Sequence, residues 1–106
     1  MASGAIIASM PFVYILLCAD SSYYTGSTTD MGRRLSEHQE GVFGGYTASR
    51  RPVKLVWSQE VQTDDQAFIL EWQIKGWSRA KKQALIRGDM AGLHEIVATE
   101  RKRRQR

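Results

Sequence analysis

Residues 13–38 constrain the fold of this chain most strongly. Two short β-rich runs, each carrying a tyrosine, are followed directly by a helical segment. The first run, residues 12–18, has apolar side chains at both odd and even positions, which is typical of a central strand covered on both faces. The Asp-Ser-Ser segment at residues 20–22 favours a turn, so residues 23–26 predict the second strand of a β-hairpin.

A helix is predicted after the hairpin, and a loop after the helix. Met31, Leu35 and His38 fall on one stripe at helical spacing. Gly41 ends this pattern, because glycine commonly occupies the position that follows a helix. Residues 42–52 predict a loop that contains two adjacent glycines, a tyrosine and two arginines.

The second half of the chain predicts one strand and further helices. Residues 53–58 alternate, which indicates a third strand with Val53, Leu55 and Trp57 on one face. Residues 63–66, Thr-Asp-Asp-Gln, match a capping box, in which the Thr and Gln side chains each satisfy a free backbone N–H group of the other residue. The helix that begins there should carry four residues on one stripe and end at a glycine: Ala67, Leu70, Glu71, Ile74 and Gly76.

Ser78 and Asp89 are N-cap candidates for two more helices, the first of them basic. The predicted fold is therefore α+β, a small three-stranded sheet flanked by three to four helices. We expect a loose N-terminal leader over residues 1–10, a single domain over residues 11–98 and a basic tail over residues 99–106. A chain of 106 residues is long enough for one core.

Composition excludes several classes of protein. The single cysteine, Cys18, rules out an internal disulfide framework and a cysteine-based zinc module. It suits a reducing compartment, and we predict a cytoplasmic location. No run approaches the ~20 apolar residues of a membrane span.

The positive charge is concentrated at the C-terminus. Five of the 15 Lys and Arg residues lie in the last six positions, and residues 1–100 hold ten basic and eleven acidic residues, a net charge of −1. The formal charge of +4 therefore comes from the tail. Such a run is usually a solvated, disordered end, yet it is also typical of an arm that binds a polyanion.

Five side chains could carry chemistry, although each has an ordinary structural explanation. Tyr14 and Tyr24 lie in predicted strands, where tyrosine is a common residue type. Arg34 and His38 lie one helical turn apart and project from one face, which could simply be solvated. Glu71 lies in an apolar stripe, where a carboxylate is costly to bury unless it is paired or bound to a metal, but it could also reach solvent at the edge of the stripe.

The order and spacing of these residues resemble the catalytic core of the GIY-YIG nuclease superfamily. A tyrosine is followed by a second tyrosine and a glycine, by an arginine with a histidine one turn later, and by a glutamate on the next long helix: Tyr14, Tyr24, Gly26, Arg34, His38 and Glu71. The chain is particularly similar to the short, single-domain bacterial (YhbQ-like) branch, over about residues 11–87. The resemblance implies that the three-stranded sheet is antiparallel.

The resemblance also implies an endonuclease that hydrolyses phosphodiester bonds with one divalent ion, Mg²⁺ or Mn²⁺, held by Glu71. Arg34 is then expected to bind phosphate, because a guanidinium can donate two hydrogen bonds to it. Tyr14 is the candidate general base, although the choice among Tyr14, Tyr24 and His38 stays open.

Gly26 is expected to be structural, because its missing Cβ would let backbone or substrate approach where the strand leads into the helix. Three positions depart from the family motifs: Phe12 and Val13 replace a glycine and an isoleucine, and Thr25 replaces an isoleucine. All three are strand positions at which the side chain serves packing. The chain contains no asparagine, so a downstream asparagine of some members has no counterpart.

Nucleic acid is the expected partner, DNA more than RNA, and recognition is expected to depend on shape or backbone rather than sequence. A phosphate path could be lined by basic residues and one aromatic ring: Arg33, Tyr46, Arg50, Arg51, Lys54, Lys81 and Lys82. Each cation could equally be ordinary surface charge, and Tyr46 could stack on a base or anchor the loop. A protein partner that supplies specificity is also left open.

Two other functions compete with the nuclease. One is a non-catalytic nucleic-acid-binding module with the same fold, and the other is a protein-interaction domain that uses Trp57, Trp72 and Trp77 at an interface. The combined tyrosine, arginine, histidine and glutamate set favours the nuclease, since binding alone needs no carboxylate facing phosphates.

Overall fold

The computed structural model describes residues 10–42 and 44–104, and its three strands form one antiparallel sheet. β1 (Phe12–Leu17) lies between β2 (Tyr23–Thr28) and β3 (Lys54–Glu60). The four central residues of β1, 13–16, are completely buried, as expected for a strand covered on both faces. The predicted α+β fold with an antiparallel sheet is confirmed. Of the predicted leader, all but residue 10 lies outside the described residues.

The described residues form five helices, one more than the upper number predicted: α1 (Met31–Glu40), α2 (Gly45–Ala48), α3 (Asp64–Lys75), α4 (Arg79–Arg87) and α5 (Met90–Arg104). The additional helix, α2, is a single turn inside the segment predicted to be a loop. It begins directly after Gly44, and both Gly44 and Gly45 have positive φ, a conformation that glycine adopts without steric cost. Within the described ranges, no helix is both long and apolar enough to cross a membrane.

Local hydrogen bonds explain where the helices begin and end. The Asp30 carboxylate accepts a hydrogen bond from the Arg33 N–H at 3.1 Å, and Gly41 ends α1 with a φ of 69°. At the start of α3, Thr63 Oγ1 accepts a hydrogen bond from the Gln66 N–H at 3.1 Å. The Gln66 side chain accepts from the N–H of residue 62, not from that of Thr63, so the predicted reciprocal box is half correct.

A β-bulge in β3 overturns one prediction about the sheet. Ile15 pairs with Trp57 and Leu16 pairs with Leu55, so the register skips Val56. Consecutive residues of β1 point to opposite faces, and directly opposed residues of two antiparallel strands share a face. Leu55 and Trp57 therefore lie on opposite faces, and the prediction that they share one is wrong because the bulge adds one residue to the strand.

The chain divides into two compact units, Met1–Trp72 and Gln73–Arg106, which are described separately. In the first unit a buried cluster lies on one face of the sheet and includes Tyr14, Leu16, Cys18 and Val53. Side chains that pack against it come from β2, α1 and β3: Tyr24, Met31, Leu35 and Leu55. The stripe predicted for α1 thus faces the sheet.

The exposed side of α3 is partly apolar. Phe68 and Ile69 are exposed, and Trp72 is 71% exposed, whereas Trp57 is half-buried. The use of tryptophans at a protein interface stays a prediction. Of the two, Trp72 is exposed enough to take part in such an interface.

In the second unit, α4 packs against α5. Ser78 caps α4 as predicted, and Lys81 Nζ lies 2.7 Å from Glu100 Oε1. α5 continues to Arg104, so the four basic residues 101–104, assigned to a tail from the sequence, form the last turn of a helix. Arg106 lies outside the described residues.

Candidate active site

Three side chains from three elements form a buried hydrogen-bonded chain. Tyr14 Oη of β1 lies 2.8 Å from His38 Nε2 of α1. The other ring nitrogen, His38 Nδ1, lies 2.8 Å from Thr47 Oγ1 of α2. None of the three residues is more than 8% exposed. The phenol and the imidazole singled out in the sequence are therefore in direct contact, and a threonine holds the far side of the imidazole.

Gly26 makes room for the Tyr14 ring. It lies inside β2 directly opposite Tyr14, and a Cβ at this position would come within 2.5 Å of Tyr14 Oη and 2.7 Å of Tyr14 Cζ. Both values are shorter than van der Waals contact, so any larger residue would push the phenol away from His38. The interpretation of Gly26 as structural agrees with this geometry. Its neighbour, however, is a side chain rather than backbone or substrate, and the glycine does not lie at the end of the strand.

Tyr24 completes an aromatic wall beside this chain. It pairs with Leu16 and so lies on the same sheet face as Tyr14, whereas the adjacent Tyr23 points to the other face. The Tyr24 ring centroid lies 5.1 Å from that of His38 in an edge-on arrangement and 6.4 Å from that of Tyr14. The imidazole is thus held between hydrogen bonds along its ring plane and an aromatic contact from β2.

A pocket of about 370 Å³ opens onto these groups. It is lined by side chains of β2, α1 and α2 and by three glycines: Tyr24, Arg34, Glu37, His38, Tyr46, Thr47, Gly41, Gly44 and Gly45. Arg34 Nε lies 3.2 Å from Glu37 Oε1, and Glu37 Oε2 lies 3.3 Å from Arg33 Nε. A guanidinium and a carboxylate therefore meet at the pocket beside the imidazole.

Burial sets the protonation states of the central pair. It raises the pKa of Tyr14 to about 12, and the neighbouring Tyr24 adds to this effect. A hydrogen bond from Arg34 and its positive charge act in the opposite direction, whereas the Glu71 carboxylate raises the value further. Burial also lowers the pKa of His38, reinforced by Arg34 and opposed by Glu37. At neutral pH the site therefore holds a neutral phenol beside a neutral imidazole.

Glu71 reaches the same region from α3. The Ser27 hydroxyl of β2 donates a hydrogen bond of 2.6 Å to Glu71 Oε1, and the residue is half-buried. Its charge acts on the Tyr14 phenol. The five predicted side chains, from β1, β2, α1 and α3, thus belong to one electrostatically connected site.

The model of the GIY-YIG catalytic domain matches residues 10–84. This chain belongs to the GIY-YIG family. The match extends from the first described residue through most of α4. The resemblance to the GIY-YIG superfamily seen in the sequence is confirmed. Membership makes this a domain of nuclease type.

Short proteins of the same kind occur in other organisms. A UPF0213 protein of Natronomonas pharaonis is 42% identical over 80 residues, which is 76% of this chain and 94% of that protein. A UPF0213 protein of Staphylococcus aureus is 42% identical over 76 residues, 72% of this chain and 93% of that protein. The solution NMR structure of a protein from E. faecalis is 36% identical and superposes with a TM-score of 0.54. The match covers 74% of this chain and 84% of that protein. The similarity thus spans nearly the whole of these short relatives.

A GIY-YIG nuclease implies a divalent metal ion, and the donor atoms of this domain fit a weakly coordinated one. No cluster of three or more His, Cys, Asp or Glu residues occurs in residues 10–42 and 44–104. Glu71 supplies a carboxylate that is oriented by Ser27. Mg²⁺ prefers oxygen ligands and is often held by one or two carboxylates together with water and substrate phosphates. These donors therefore suit an ion that shares its coordination with the substrate.

Three residues of the GIY-YIG site were not predicted to take part. Glu37 lies three residues after Arg34, so helical spacing could have identified it as the partner of Arg34. Ser27 and Thr47 carry no comparable signal, because hydroxyl residues are common in strands and loops. Their contacts with Glu71 and His38 span 44 and 9 residues and depend on the fold.

The residues proposed to line a phosphate path have different environments in this GIY-YIG domain. Arg33 and Lys54 are exposed. Arg50 Nε lies 2.9 Å from Asp20 Oδ2, and the Arg50 guanidinium lies 3.8 Å from the Tyr46 ring centroid.

Arg51 donates hydrogen bonds to the backbone carbonyls of Ala48 and Gln39 at 2.8 and 3.3 Å. Arg50 and Arg51 therefore stabilise the loop, and phosphate binding by either would compete with these contacts.

The two lysines of the proposed path lie in the second unit. Lys81 is paired with Glu100, and its side chain is only 12% exposed. Burial and the nearby Arg79 lower the pKa of Lys82, which is half-buried. Phosphate binding by Lys81 would require it to exchange its present partner, and a role for either lysine stays a prediction.

Proposed function

We propose that this GIY-YIG domain is a metal-dependent endonuclease that hydrolyses phosphodiester bonds in nucleic acid. DNA is the proposed substrate in preference to RNA, with selection by structure rather than sequence and a cytoplasmic site of action. The observation that carries the proposal is the convergence of Arg34, His38 and Glu71 on the Tyr14 phenol. Hydrolysis of a phosphodiester requires a cation that binds the phosphate, a group that takes a proton from water and a carboxylate that can hold a metal ion.

Arg34 is proposed to hold the scissile phosphate. Its guanidinium lines the pocket and is 3.2 Å from Glu37, a partner that a phosphate oxygen would replace. The negative charge on the phosphoryl oxygens increases as water attacks, so a fixed cation stabilises the transition state more than the ground state. Tyr14 is proposed to take the proton of the attacking water, with Tyr24 orienting the reactants from the pocket wall.

Glu71 is proposed to hold Mg²⁺ or Mn²⁺, and such an ion stabilises charge on the phosphate and the leaving oxygen when bound. Ser27 would keep the carboxylate oriented through its 2.6 Å hydrogen bond. For recognition, exposed Arg33 lies next to Arg34 on α1 and can contact the adjacent phosphate. Contacts of this kind position a backbone without reading its sequence.

Cleavage of a labelled panel tests this function. Single-stranded, duplex, flapped and branched DNA and single-stranded RNA would each be incubated with Mg²⁺, Mn²⁺ or EDTA, using wild-type protein, Glu71→Gln and Arg34→Ala. Glu40→Gln is the matched control, since Glu40 is an exposed glutamate of α1. We expect metal-dependent cuts, most efficient on a flapped or branched DNA. Arg34→Ala should lower kcat about 10²- to 10³-fold, as loss of one charge-stabilising donor does elsewhere.

Glu71→Gln should abolish the metal-dependent cleavage, and Glu40→Gln should cleave like wild type. Salt-sensitive binding without cleavage would contradict the endonuclease and favour the binding module. Cleavage that ignores both Glu71→Gln and Arg34→Ala would come from a contaminating nuclease.

A further inference from the structure

The Thr47 hydroxyl has no role in the function proposed above, yet it occupies a specific place in the site. Thr47 is 4% exposed and lies on the single turn of α2, nine residues after His38. Its Oγ1 is 2.8 Å from His38 Nδ1, on the side of the imidazole away from Tyr14. A hydrogen bond at one ring nitrogen of a histidine determines whether the other nitrogen is protonated.

The hydrogen bonds at Tyr14 define the direction of the proton. Arg34 acts on the Tyr14 oxygen as a cation, and its guanidinium has no acceptor atom for the phenolic proton. In the described part of the chain, the acceptor within hydrogen-bond distance of Tyr14 Oη is His38 Nε2. The phenolic proton therefore points to Nε2, which must carry a lone pair. The proton of the neutral imidazole is then on Nδ1 and is donated to Thr47 Oγ1.

We propose that Thr47 is a positioning residue that holds His38 in its Nδ1-protonated tautomer, so that Nε2 accepts the proton of Tyr14 during hydrolysis. The inference rests on the proposed endonuclease function and assigns the final proton acceptor of that site. Tyr14 then acts as a relay between water and His38 and does not accumulate as a phenolate.

The proton transfers balance over one turnover. As the water oxygen bonds to phosphorus, one water proton moves to Tyr14 Oη and the Tyr14 proton moves to His38 Nε2. The bond from phosphorus to the leaving oxygen breaks, and this oxygen keeps the electron pair and takes a proton from solvent water. Tyr14 is restored, and His38 becomes an imidazolium that donates to both Tyr14 and Thr47. The resulting hydroxide in solvent removes the extra proton and restores neutral His38.

The groups around His38 define the pH dependence. It faces Tyr14 from β1, Tyr24 from β2, Arg34 and Glu37 from α1, and Tyr46 and Thr47 from α2, while Glu71 of α3 acts on Tyr14. The relay requires neutral His38, whose pKa is held below its ordinary value. The cleavage rate should therefore fall as the pH drops through that pKa and stay level above it. A free Tyr14 phenolate acting as base would instead give a rate that rises tenfold per pH unit up to about 12.

Nitrogen NMR of the full-length protein tests the tautomer without any need for activity. The chain contains two histidines, so His38 is assigned by comparison with His94→Gln, a change at an exposed position of α5. At pH 7.5 we expect a protonated Nδ1 and an unprotonated Nε2 in wild type. Thr47→Val keeps the shape of the side chain but removes the acceptor, and should shift His38 toward the Nε2-protonated form. Thr47→Ser restores the hydroxyl and should restore the wild-type spectrum.

Cleavage kinetics give the second measurement. Thr47→Val should lower kcat about 10- to 100-fold, the range found when a group that orients a metal-binding histidine is removed, with KM unchanged. Thr47→Ser should recover most of this loss, and thermal unfolding would show whether both variants are folded. Wild-type protein with His38 protonated on Nε2, or a Thr47→Val spectrum and kcat equal to wild type, would overturn the inference. A protein that cleaves nothing would defeat the proposed function, whereas the NMR result would still decide the tautomer.

Discussion

Tyr14 can reach His38 only because the residue opposite it has no side chain. The Tyr14 ring occupies the space where a Cβ of Gly26 would lie, and the phenol then extends to the imidazole of α1. Gly26 is itself buried, and its φ is not positive, so steric room rather than backbone freedom is the reason for glycine here. One missing methyl group thus determines whether two catalytic candidates meet.

Gly26→Ala is therefore expected to lower both stability and activity. The added carbon meets Tyr14 Oη at 2.5 Å and Tyr24 Cε2 at 3.1 Å, and overpacking of this kind costs about 1–3 kcal/mol. Urea unfolding should show the loss, and cleavage should fall because Tyr14 is displaced from His38.

Gly32→Ala is the matched control. This glycine lies in α1, and nothing lies within 4 Å of the position that its Cβ would occupy. Alanine is the better helix former, so this change should stabilise the protein by about 0.5–1 kcal/mol. Equal stabilities of Gly26→Ala and wild type would refute the steric argument.

The segment between α1 and β3 forms one wall of the pocket and is fastened at several points. Arg50 pairs with Asp20 of the β1–β2 turn, donates to the Tyr46 carbonyl at 2.8 Å and lies over the Tyr46 ring. The Tyr46 ring stacks on Tyr24 with centroids 6.2 Å apart. Hydrogen bonds of Ser22 and the Arg50 partner lower the pKa of Asp20, which favours the charged carboxylate that pairs with Arg50. These contacts keep α2, and with it Thr47, close to His38.

Arg50→Lys should loosen this segment while keeping its charge. Lysine has no planar guanidinium to lie over Tyr46, a contact worth about 0.5–1 kcal/mol at exposed sites. Amide hydrogen exchange of residues 44–50 should become faster, with less change in the strands. Arg33→Lys is the control, because Arg33 also pairs with a carboxylate but is 75% exposed. Unchanged exchange in Arg50→Lys would contradict a fastening role for Arg50.

Across the whole chain, positive charge and the candidate site are separate in sequence. Residues 1–100 carry a net charge of −1, and five basic residues follow. Four of these form the exposed end of α5, where cations also interact favourably with the helix dipole. A nucleic-acid affinity that depends on the C-terminus is the expected consequence.

Removal of residues 101–106 should weaken DNA binding and reduce its salt dependence. Each neutralised phosphate contributes about 0.9 to the slope of log K against log salt, so the loss of five basic residues should reduce the slope by up to about 4.5. Metal-dependent cleavage at saturating substrate should persist. Replacement of the same five residues by glutamine keeps the chain length and should have the same effect, which separates charge from helix length. An identical salt slope in all three proteins would contradict a binding role for this segment.

The arrangement of local elements was largely accessible from the sequence. A run apolar on both faces identified the central strand, helical spacing identified the stripe of α1, and Gly41, Ser78 and Gly76 marked helix ends through hydrogen bonds or backbone conformations that depend on neighbours in sequence. The family motif then pointed to the five side chains of the candidate site. Patterns of this kind are readable because each depends on only a few consecutive residues.

Other features depended on contacts between distant segments. The bulge at Val56 reversed the predicted position of Trp57, because register depends on how β3 pairs with β1 and not on alternation within β3. Arg50 and Arg51 resembled phosphate ligands in sequence, yet their nearest partners are a carboxylate and backbone carbonyls of the same domain.

The sequence by itself determined which elements form, apart from the single turn of α2, and which chemical groups this GIY-YIG domain carries. Only the tertiary structure placed Gly26 beneath Tyr14, Ser27 on Glu71 and Thr47 on His38. The reason is physical: the orientation and protonation of a candidate catalytic group follow from its nearest neighbours and its burial, and both are created when segments far apart in the chain pack together.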